Sequence, residues 1–234
     1  MRLIVAAMVV TLAGAASPVL AQGEEGSVPI EKAPYHLPVF SNEYVTVLKI
    51  EIPPQRDTGY HTHTQDSVSV NIVPADNVNQ DLGSSQVVPS ARAERGRAQF
   101  TAYGTQPPRS HKNTNVGTTP FHNVSFIFKA PKPHGFTPAT RAEVPAYVQV
   151  MDNERVRAWR LVLEPGQAAA AVTQQSPGLR VVVRGGEIVE SVPGQPDRPM
   201  FLRDGEFYWQ DPRVTRAVRN RGTTRVEFVE FELK

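Results

Sequence analysis

An internal repeat limits the folds open to this chain more than any other feature of its sequence. Residues 42–45 (Asn-Glu-Tyr-Val) recur as residues 153–156 (Asn-Glu-Arg-Val), at a spacing of 111 residues. At that spacing apolar residues correspond to apolar residues: Leu48, Ile50 and Ile52 to Trp159, Leu161 and Leu163. One structural unit has therefore been used twice.

The carboxyl-terminal part of each copy keeps its register at a shorter spacing of 105 residues, as if a connecting loop had lost six residues. The pattern His111-x-x-x-Asn115-x-Gly117 becomes Arg216-x-x-x-Asn220-x-Gly222, and Val124, Phe126 and Phe128 become Val229, Phe231 and Leu233. The two copies therefore have the same order of predicted elements.

Each copy consists of short segments whose residues alternate between apolar and polar. Leu48, Ile50 and Ile52 lie on one side of an extended segment while Lys49 and Glu51 lie on the other, which is typical of a half-buried β-strand. The 21 Pro and 16 Gly of the chain interrupt such segments, and no convincing amphipathic helix lies between them. The sequence therefore predicts an all-β protein with a small barrel or sandwich in each copy.

The repeat also sets the expected domain boundaries. We expect an extended amino-terminal arm over residues 22–39, a first domain over 40–130, a Pro-rich linker over 131–147 and a second domain over 148–234. Residues 74–90 are polar and rich in turn formers, which predicts a loop or an irregular hairpin within the first domain.

The first 21 residues predict an export signal that is removed from the mature protein. Arg2 precedes an uncharged apolar core over residues 3–16, and residues 19–21 offer small side chains for cleavage after Ala21. This core is shorter than the ~20 apolar residues that a membrane span needs. We therefore expect a periplasmic or secreted protein with no membrane segment in its mature form. The chain has no cysteine, so core packing without disulfides must hold it together.

Two histidines on one predicted strand, with a third further along the chain, form the candidate site. His61 and His63 are two residues apart, and such side chains point to the same side of a strand. His111 opens another strand-like segment and can supply a third nitrogen. Three neutral imidazoles with a vacant position make a divalent metal site. Manganese, iron, copper, nickel and zinc are all candidates, and loading after export favours copper or zinc by affinity.

The second copy lacks all three candidate ligands. The corresponding residues are Val172 for His61, Gln174 for His63 and Arg216 for His111. No histidine occurs after His134. The joint absence indicates that the three histidines act together and that the second copy does not bind the metal.

Charge and local motifs argue against several classes of function. The formal net charge is +2 and the pI is near 9.0, but no block of like charges marks a nucleic-acid or membrane partner. Gly-rich phosphate loops, serine nucleophile elbows and paired catalytic carboxylates are absent from the local sequence patterns. A small molecule is therefore the expected ligand or substrate.

These motifs resemble those of the cupin superfamily in its duplicated, two-domain form. Residues 59–63 are similar to the first cupin motif, although the histidines follow the glycine more closely, and residues 107–115 are similar to the second. The resemblance covers residues 40–234 and implies a double-stranded β-helix, or jelly-roll barrel, in each half. It further implies a metal held by the three histidines in the first barrel and a homodimer formed through sheet faces. The reaction stays undefined, because this fold hosts many activities.

One position departs from the family pattern. The first motif normally continues to a glutamate three or four residues after its second histidine, where this chain has Ser67 and Val68. The nearest carboxylate, Asp66, lies one position early. Either Asp66 is a fourth ligand through an altered turn, or the site has three histidines completed by water. A shift of one residue turns a strand side chain to the other face, which favours three histidines.

The second motif contains two asparagines with different expected tasks. Asn113 shares a strand face with His111, so it is placed to line the pocket or to orient the imidazoles. Asn115 is expected to support a turn before Gly117.

Three further residues are candidates for ligand binding. Tyr60 and Tyr103 can hydrogen-bond a substrate, although tyrosines bordering a barrel commonly serve packing. Arg216 can hold an anionic ligand by a bidentate contact, although the arginines around it are typical of a solvated strand face. The remaining histidines are expected to be surface or hydrogen-bonded structural residues: His36, His122 and His134.

Two functions fit these features. The first is an exported metal-dependent enzyme, of the dioxygenase or isomerase type, that acts on a small organic molecule at the open positions of its metal. The second is a non-catalytic binding or assembly module in which the metal is structural. An enclosed cavity beside the metal ligands favours the enzyme, whereas a filled barrel favours the module.

Overall fold

A computed structural model describes residues 26–91 and 93–234; the predicted export signal at residues 1–21 lies outside these residues. Within them the chain forms nineteen strands and two short 3-10 helices, Ile30–Lys32 and Tyr103–Thr105. In the first half the strands are β1 (Val28–Pro29), β2 (His36–Ser41), β3 (Val45–Ile52), β4 (His61–His63), β5 (Ser67–Val73), β6 (Asn77–Asp81), β7 (Val87–Pro89), β8 (Ala98–Thr101), β9 (Arg109–Asn115) and β10 (Phe121–Phe128).

The second half repeats this series after a segment without strands, which contains the predicted linker except for Tyr147, the first residue of the next strand. Its strands are β11 (Tyr147–Asp152), β12 (Val156–Leu163), β13 (Ala168–Thr173), β14 (Gly178–Arg184), β15 (Gly186–Ser191), β16 (Arg198–Leu202), β17 (Phe207–Gln210), β18 (Thr215–Asn220) and β19 (Val226–Leu233). No helix in the described part of the chain has the length and apolar character of a bilayer-crossing segment.

Each half folds into two sheets that face each other as a jelly-roll barrel. The first barrel has the strand orders β1-β4-β9-β6-β7 and β2-β3-β10-β5-β8, and the second has β11-β12-β19-β14-β17 and β13-β18-β15-β16. Neighbouring strands are antiparallel except for the short β1–β4 pair. The prediction of an all-β protein with two tandem barrels is confirmed, and the polar segment over residues 74–90 forms the β6–β7 hairpin.

Equivalent backbone contacts confirm the internal repeat. The side-chain amide of Asn115 donates to the carbonyl oxygens of Ile52 and Thr119, and its oxygen accepts from Gly117 N. Asn220 makes the same three contacts in the second barrel, with the residues that the repeat spacing predicts. The prediction that Asn115 supports the turn before Gly117 is therefore also confirmed.

The apolar faces of the two barrels pack against each other rather than only inside each barrel. Val124, Phe126 and Phe128 of β10 share one buried core with Val229 and Phe231 of β19. The rings of Phe126 and Phe231 lie with their centroids 5.1 Å apart in an edge-to-face arrangement. Two sheets joined face to face in this way bury the apolar side of each.

The opposite face of the same strands lines the interior of the first barrel, and it is largely polar. Ser69 and Asn71 of β5, with Asn123 and Ser125 of β10, alternate along the strand with the residues of the shared core. Strand residues alternate between two faces, so on β5 and β10 the apolar alternation marks the contact between the barrels and the polar alternation marks the cavity. On β3 the cavity side is apolar, because Leu48, Ile50 and Ile52 belong to a separate core inside the first barrel.

The first barrel begins earlier in the chain than expected. Residues 22–39 were predicted to form an arm outside the barrel, but β1 pairs with β4 and β2 pairs along β3. The side chains of Ile30 and His36 are buried. The prediction missed this because the Pro-rich stretch hides two short edge strands, and prolines are compatible with edge positions.

Buried ion pairs occupy the interior of the second barrel. Arg141, from the segment between the barrels, contacts the carboxylates of Glu230 and Glu232 of β19, and Arg180 contacts Glu230 and Glu190 at 2.8 Å each. All five residues are at most 5% exposed. The guanidinium of Arg141 also lies over the rings of Tyr147 and Trp159. Charges placed this deep are stable only as a fully paired network.

Candidate metal centre

The pairing of two strands brings the three predicted histidines together. His61 and His63 lie at the two ends of β4, and His61 is opposite His111 of the antiparallel neighbour β9. One potential ligand atom from each ring lies within 4.8 Å of those of the other two. Among the described residues these three form the one cluster of His and acidic side chains that meets this distance criterion.

The ring nitrogens are arranged as metal ligands require. His61 Nδ1 lies 3.2 Å from the carbonyl oxygen of Gly59; this oxygen can only accept, so Nδ1 carries the proton and Nε2 keeps its lone pair. The Nε2 atoms of His63 and His111 are 3.1 Å apart. Two nitrogens bound to one ion at about 2.1 Å would be separated by a similar distance. The donor set therefore fits a divalent metal ion.

Burial keeps the three imidazoles neutral. It is the largest cause that lowers the pKa of His61 to about 3, that of His63 to about 2 and that of His111 to about 4. Repulsion from neighbouring imidazoles lowers all three pKa values further, and the Arg109 guanidinium adds to this for His63 and His111. Neutral imidazoles are the form that binds a cation.

A fourth imidazole, His36, lies beside the cluster. Its ring centroid is 4.8 Å from that of His61, its side chain is 8% exposed, and its Nδ1 lies 3.0 Å from the carbonyl oxygen of Pro34. Sequence reasoning predicted a surface or hydrogen-bonded structural residue: the hydrogen bond is present, but the ring also lines the cavity. The pairing of β2 with β3 brings His36 to the cavity. The sequence did not reveal this pairing, because His36 lies in a Pro-rich stretch.

A cavity of about 260 Å³ opens beside the cluster, inside the first barrel. Its wall carries the three histidines together with hydroxyl, amide, aliphatic and aromatic side chains and Arg109, and no carboxylate. Two other predicted site residues belong to it: Asn113, and Tyr103, whose ring stacks on His63 at a centroid distance of 4.3 Å. Asn113 does not touch an imidazole through a hydrogen bond; its Nδ2 donates to Asn79 Oδ1 at 3.1 Å.

The other candidate residues of the first barrel lie elsewhere. One carboxylate oxygen of Asp66 accepts from Gly104 N at 2.8 Å, and the other lies 3.5 Å from Arg155 Nε of the second barrel. Asp66 therefore joins the two barrels, and its carboxylate does not belong to the histidine cluster. Tyr60 lies outside the cavity wall, with Lys112 Nζ 5.2 Å from its ring centroid.

His122 and His134 lie at contacts between the two halves of the chain. The ring of His122 abuts Gly205, in the turn before β17. The ring of His134 stacks on Phe136 and meets Tyr44 edge-on. Neither ring contributes to the histidine cluster.

The second barrel has the matching strands but a different interior. Val172 is opposite Arg216, as His61 is opposite His111. Where the first barrel has Ser69 and Ser125, the second has Arg180 and Glu230, which bind each other. Arg216 lines an opening of about 660 Å³ in the second barrel, together with Arg180 and Glu190. Long paired side chains thus occupy positions at which the first barrel has small hydroxyl residues.

Fold and site together define a protein of two joined jelly-roll barrels with an imidazole cluster in one of them. No protein-family model and no curated protein matches the sequence. The structure is similar to salicylate 1,2-dioxygenase from Pseudaminobacter salicylatoxidans, with a TM-score of 0.57, 12% identity and coverage of 84% of this chain and 75% of that chain.

Two further solved structures have the same architecture. AerE from Microcystis aeruginosa aligns with a TM-score of 0.53 and 10% identity over 86% of this chain and 98% of that chain. A cupin 2 conserved barrel domain protein from Leptotrichia buccalis aligns with a TM-score of 0.51 and 8% identity over 85% of this chain and 88% of that chain. This chain therefore has the cupin fold in its two-barrel form.

Proposed function

We propose that this protein is an exported metalloenzyme whose first barrel binds a divalent cation through His61, His63 and His111 and acts on a small organic molecule. The contrast between the two barrels carries this proposal. The histidine cluster lies on the wall of an open cavity, whereas the second barrel has no imidazole at the equivalent positions and carries the ion-paired Arg180, Glu190 and Glu230 there. A metal that only stabilised the fold would need no cavity beside it.

The likeness to a dioxygenase favours an oxygen-dependent reaction over an isomerisation. The described residues that line the cavity include no carboxylate, so proton transfer there would depend on an imidazole such as His36 or on Tyr103. A divalent ion held there would supply Lewis-acid polarisation or redox chemistry. One similar structure is a salicylate 1,2-dioxygenase, and a mutant of that protein is in complex with gentisate; this supports oxidation of a small molecule.

The residues of the chain hold the ligands and shape the space around them. The Gly59 carbonyl fixes the orientation of His61, and the Thr58 hydroxyl bridges Gly59 O and Asn113 N, which ties the two ligand-bearing segments together. The Tyr103 ring covers one side of His63. Among the described residues, His111 Nδ1 has no such hydrogen-bond partner, so hydrogen bonding orients His61 more firmly than His111.

Metal analysis and oxygen uptake test this proposal. The mature chain would be loaded separately with manganese, iron, copper and nickel, and oxygen consumption would be followed on a panel of small organic acids, phenols and hydroxyl-rich compounds. We expect one ion per chain and turnover with at least one metal. His61→Ala and His111→Ala are expected to abolish both, whereas the control His122→Ala keeps both.

Two outcomes would redirect the proposal. Retention of the ion by both alanine variants would place the metal elsewhere. A bound ion without turnover on any substrate would instead favour the second candidate, a non-catalytic ligand-binding module with a structural metal.

A further inference from the structure

A second chamber adjoins the metal-site cavity, and amide side chains dominate its wall. The chamber has a volume of about 460 Å³ and shares several lining residues with the cavity, including Asn79, Asn113 and Asn123. Asn71 and Asn77 complete a set of five asparagines. Together the two spaces fall in the size range of small-molecule sites.

We infer that the molecule bound beside the metal site is rich in hydroxyl groups, such as a monosaccharide or polyol, and extends into this amide-lined chamber. The inference rests on the proposed function, because it assigns a substrate class to the same site.

Two of the amides have buried oxygens that accept no hydrogen bond from the described residues. They are Asn77 Oδ1 and Asn113 Oδ1; the Asn77 side chain is itself 6% exposed. Leaving a buried amide oxygen unpaired costs about 1–3 kcal/mol. These two oxygens are therefore open acceptors at a site where a ligand can supply the missing donors.

The neighbouring amides are already fixed by hydrogen bonds. Asn79 Oδ1 accepts from Asn113 Nδ2, while Asn79 Nδ2 donates to Ser90 Oγ at 2.6 Å. Asn123 Nδ2 donates to Asn71 Oδ1 at 3.0 Å. The lining groups are thus held in place before a ligand arrives, which lowers the entropic cost of binding.

The second barrel shows that the fold does not require these amides. The strand registers and the repeat spacings give the equivalent residues: Val182 for Asn71, Ile188 for Asn77, Val218 for Asn113 and Phe228 for Asn123. All four are at most 1% exposed and belong to the apolar core of that barrel. Burying an amide where an apolar residue fits destabilises a protein. Binding, rather than folding, therefore accounts for the amides.

Hydroxyl groups match this wall better than carboxylates do. A hydroxyl both donates and accepts, so it can pair with an amide in either orientation, whereas a carboxylate cannot donate to an amide oxygen. The guanidinium of Arg109, at the cavity, is already bound to Asp81 Oδ1 at 3.0 and 2.9 Å. Arg97 lies exposed at the edge of the chamber. The buried part of the site is therefore uncharged and suited to hydroxyl groups.

Ligand-observed NMR and calorimetry on the full mature chain test the inference. Zinc-loaded and EDTA-treated protein would be titrated with glucose, sorbitol and, as a hydroxyl-poor acid, benzoate. We expect saturation transfer and measurable binding for at least one hydroxyl-rich probe and none for benzoate. Zinc is used because it has no redox chemistry, so binding is observed without turnover.

Two variants place a residue of the second barrel at the equivalent position of the first barrel. Asn77→Ile and Asn113→Val each remove one open acceptor, and each is expected to weaken binding of the hydroxyl-rich probe at least fivefold, about the effect of one hydrogen bond. The zinc content and the cooperative melting transition should be kept. Gln86→Val, which removes an exposed amide outside the chamber, is the matched control and should bind as the parent does.

The outcomes separate this inference from the metal proposal. Preferential binding of benzoate, no binding of either hydroxyl-rich probe, or unchanged affinity in both folded variants would overturn the substrate class, even with one zinc per chain. Binding that depends on Asn77 and Asn113 in protein that takes up no zinc would support the substrate class and refute the metal site.

Discussion

Lowering the pH should destabilise the metal-free protein steeply, because the first barrel holds three imidazoles in their neutral form. In the unfolded chain each would protonate near its ordinary pKa of 6.5, whereas burial lowers the folded pKa values to about 3, 2 and 4 for His61, His63 and His111. The unfolded state therefore binds more protons below pH 6.5. The contribution of these histidines to the free energy of unfolding is fully present above pH 6.5. It is lost as the pH falls toward their pKa values in the folded state.

The size of the effect follows from these pKa values. Each histidine costs about 1.4 kcal/mol for every pH unit below 6.5. Between pH 7.5 and 5.5 the three together should lower the free energy of unfolding by about 4 kcal/mol. His36, whose pKa burial also lowers, acts in the same direction. Most carboxylates titrate below this window, so the histidines dominate it.

Urea unfolding of EDTA-treated protein across this pH range measures the effect. His63→Asn should remove about a third of the pH dependence, because one of the three titrating rings of the cluster is gone. His134→Asn, which changes a ring outside the cluster, is the control and should keep most of it. Equal pH dependence in wild type and His63→Asn would refute the reasoning and show that the cavity hydrates these rings.

Three further outcomes are expected. Asp66→Asn should lower the free energy of unfolding in urea by about 3 kcal/mol, because it leaves the buried Arg155 without its counter-charge. The metal content measured by elemental analysis should stay the same, and a loss of metal would show that Asp66 is a ligand. Arg141→Ala should cost about 3–5 kcal/mol, since it leaves the buried Glu232 without its ion-pair partner and Glu230 with Arg180 alone. A stability within 1 kcal/mol of the parent would contradict the proposed network. Mass spectrometry of exported protein should show cleavage after Ala21; a chain that keeps Met1 would contradict it.

The duplicated pattern predicted much of the fold and the histidine cluster. The repeat spacings located equivalent strands, and the period of two placed His61 and His63 on one face. The approach of His111 to the other two histidines was predicted from the second motif. The second copy keeps the asparagine and glycine of that motif but has Arg216 in place of the histidine. These predictions succeeded because strand register and turn chemistry are local properties that the sequence carries directly.

The parts that sequence reasoning missed depend on how the two copies meet. Alternation separates the two faces of β10 but does not tell which face lines a barrel. Val124 and Phe126 turned out to meet the other barrel, and Asn123 and Ser125 turned out to line the cavity. His36 was missed for a related reason, since its neighbours in the structure come from distant strands. Long-range packing decided these points.

The apolar contact between the barrels explains why a copy without ligands has been retained. A half-length descendant carrying the histidines alone would expose Phe126 and its neighbours to water, and such a surface promotes self-association. Natural selection for a working site in the first barrel therefore also preserves the second barrel. Mutations in the second half that loosen this contact are expected to be eliminated even though they touch no ligand.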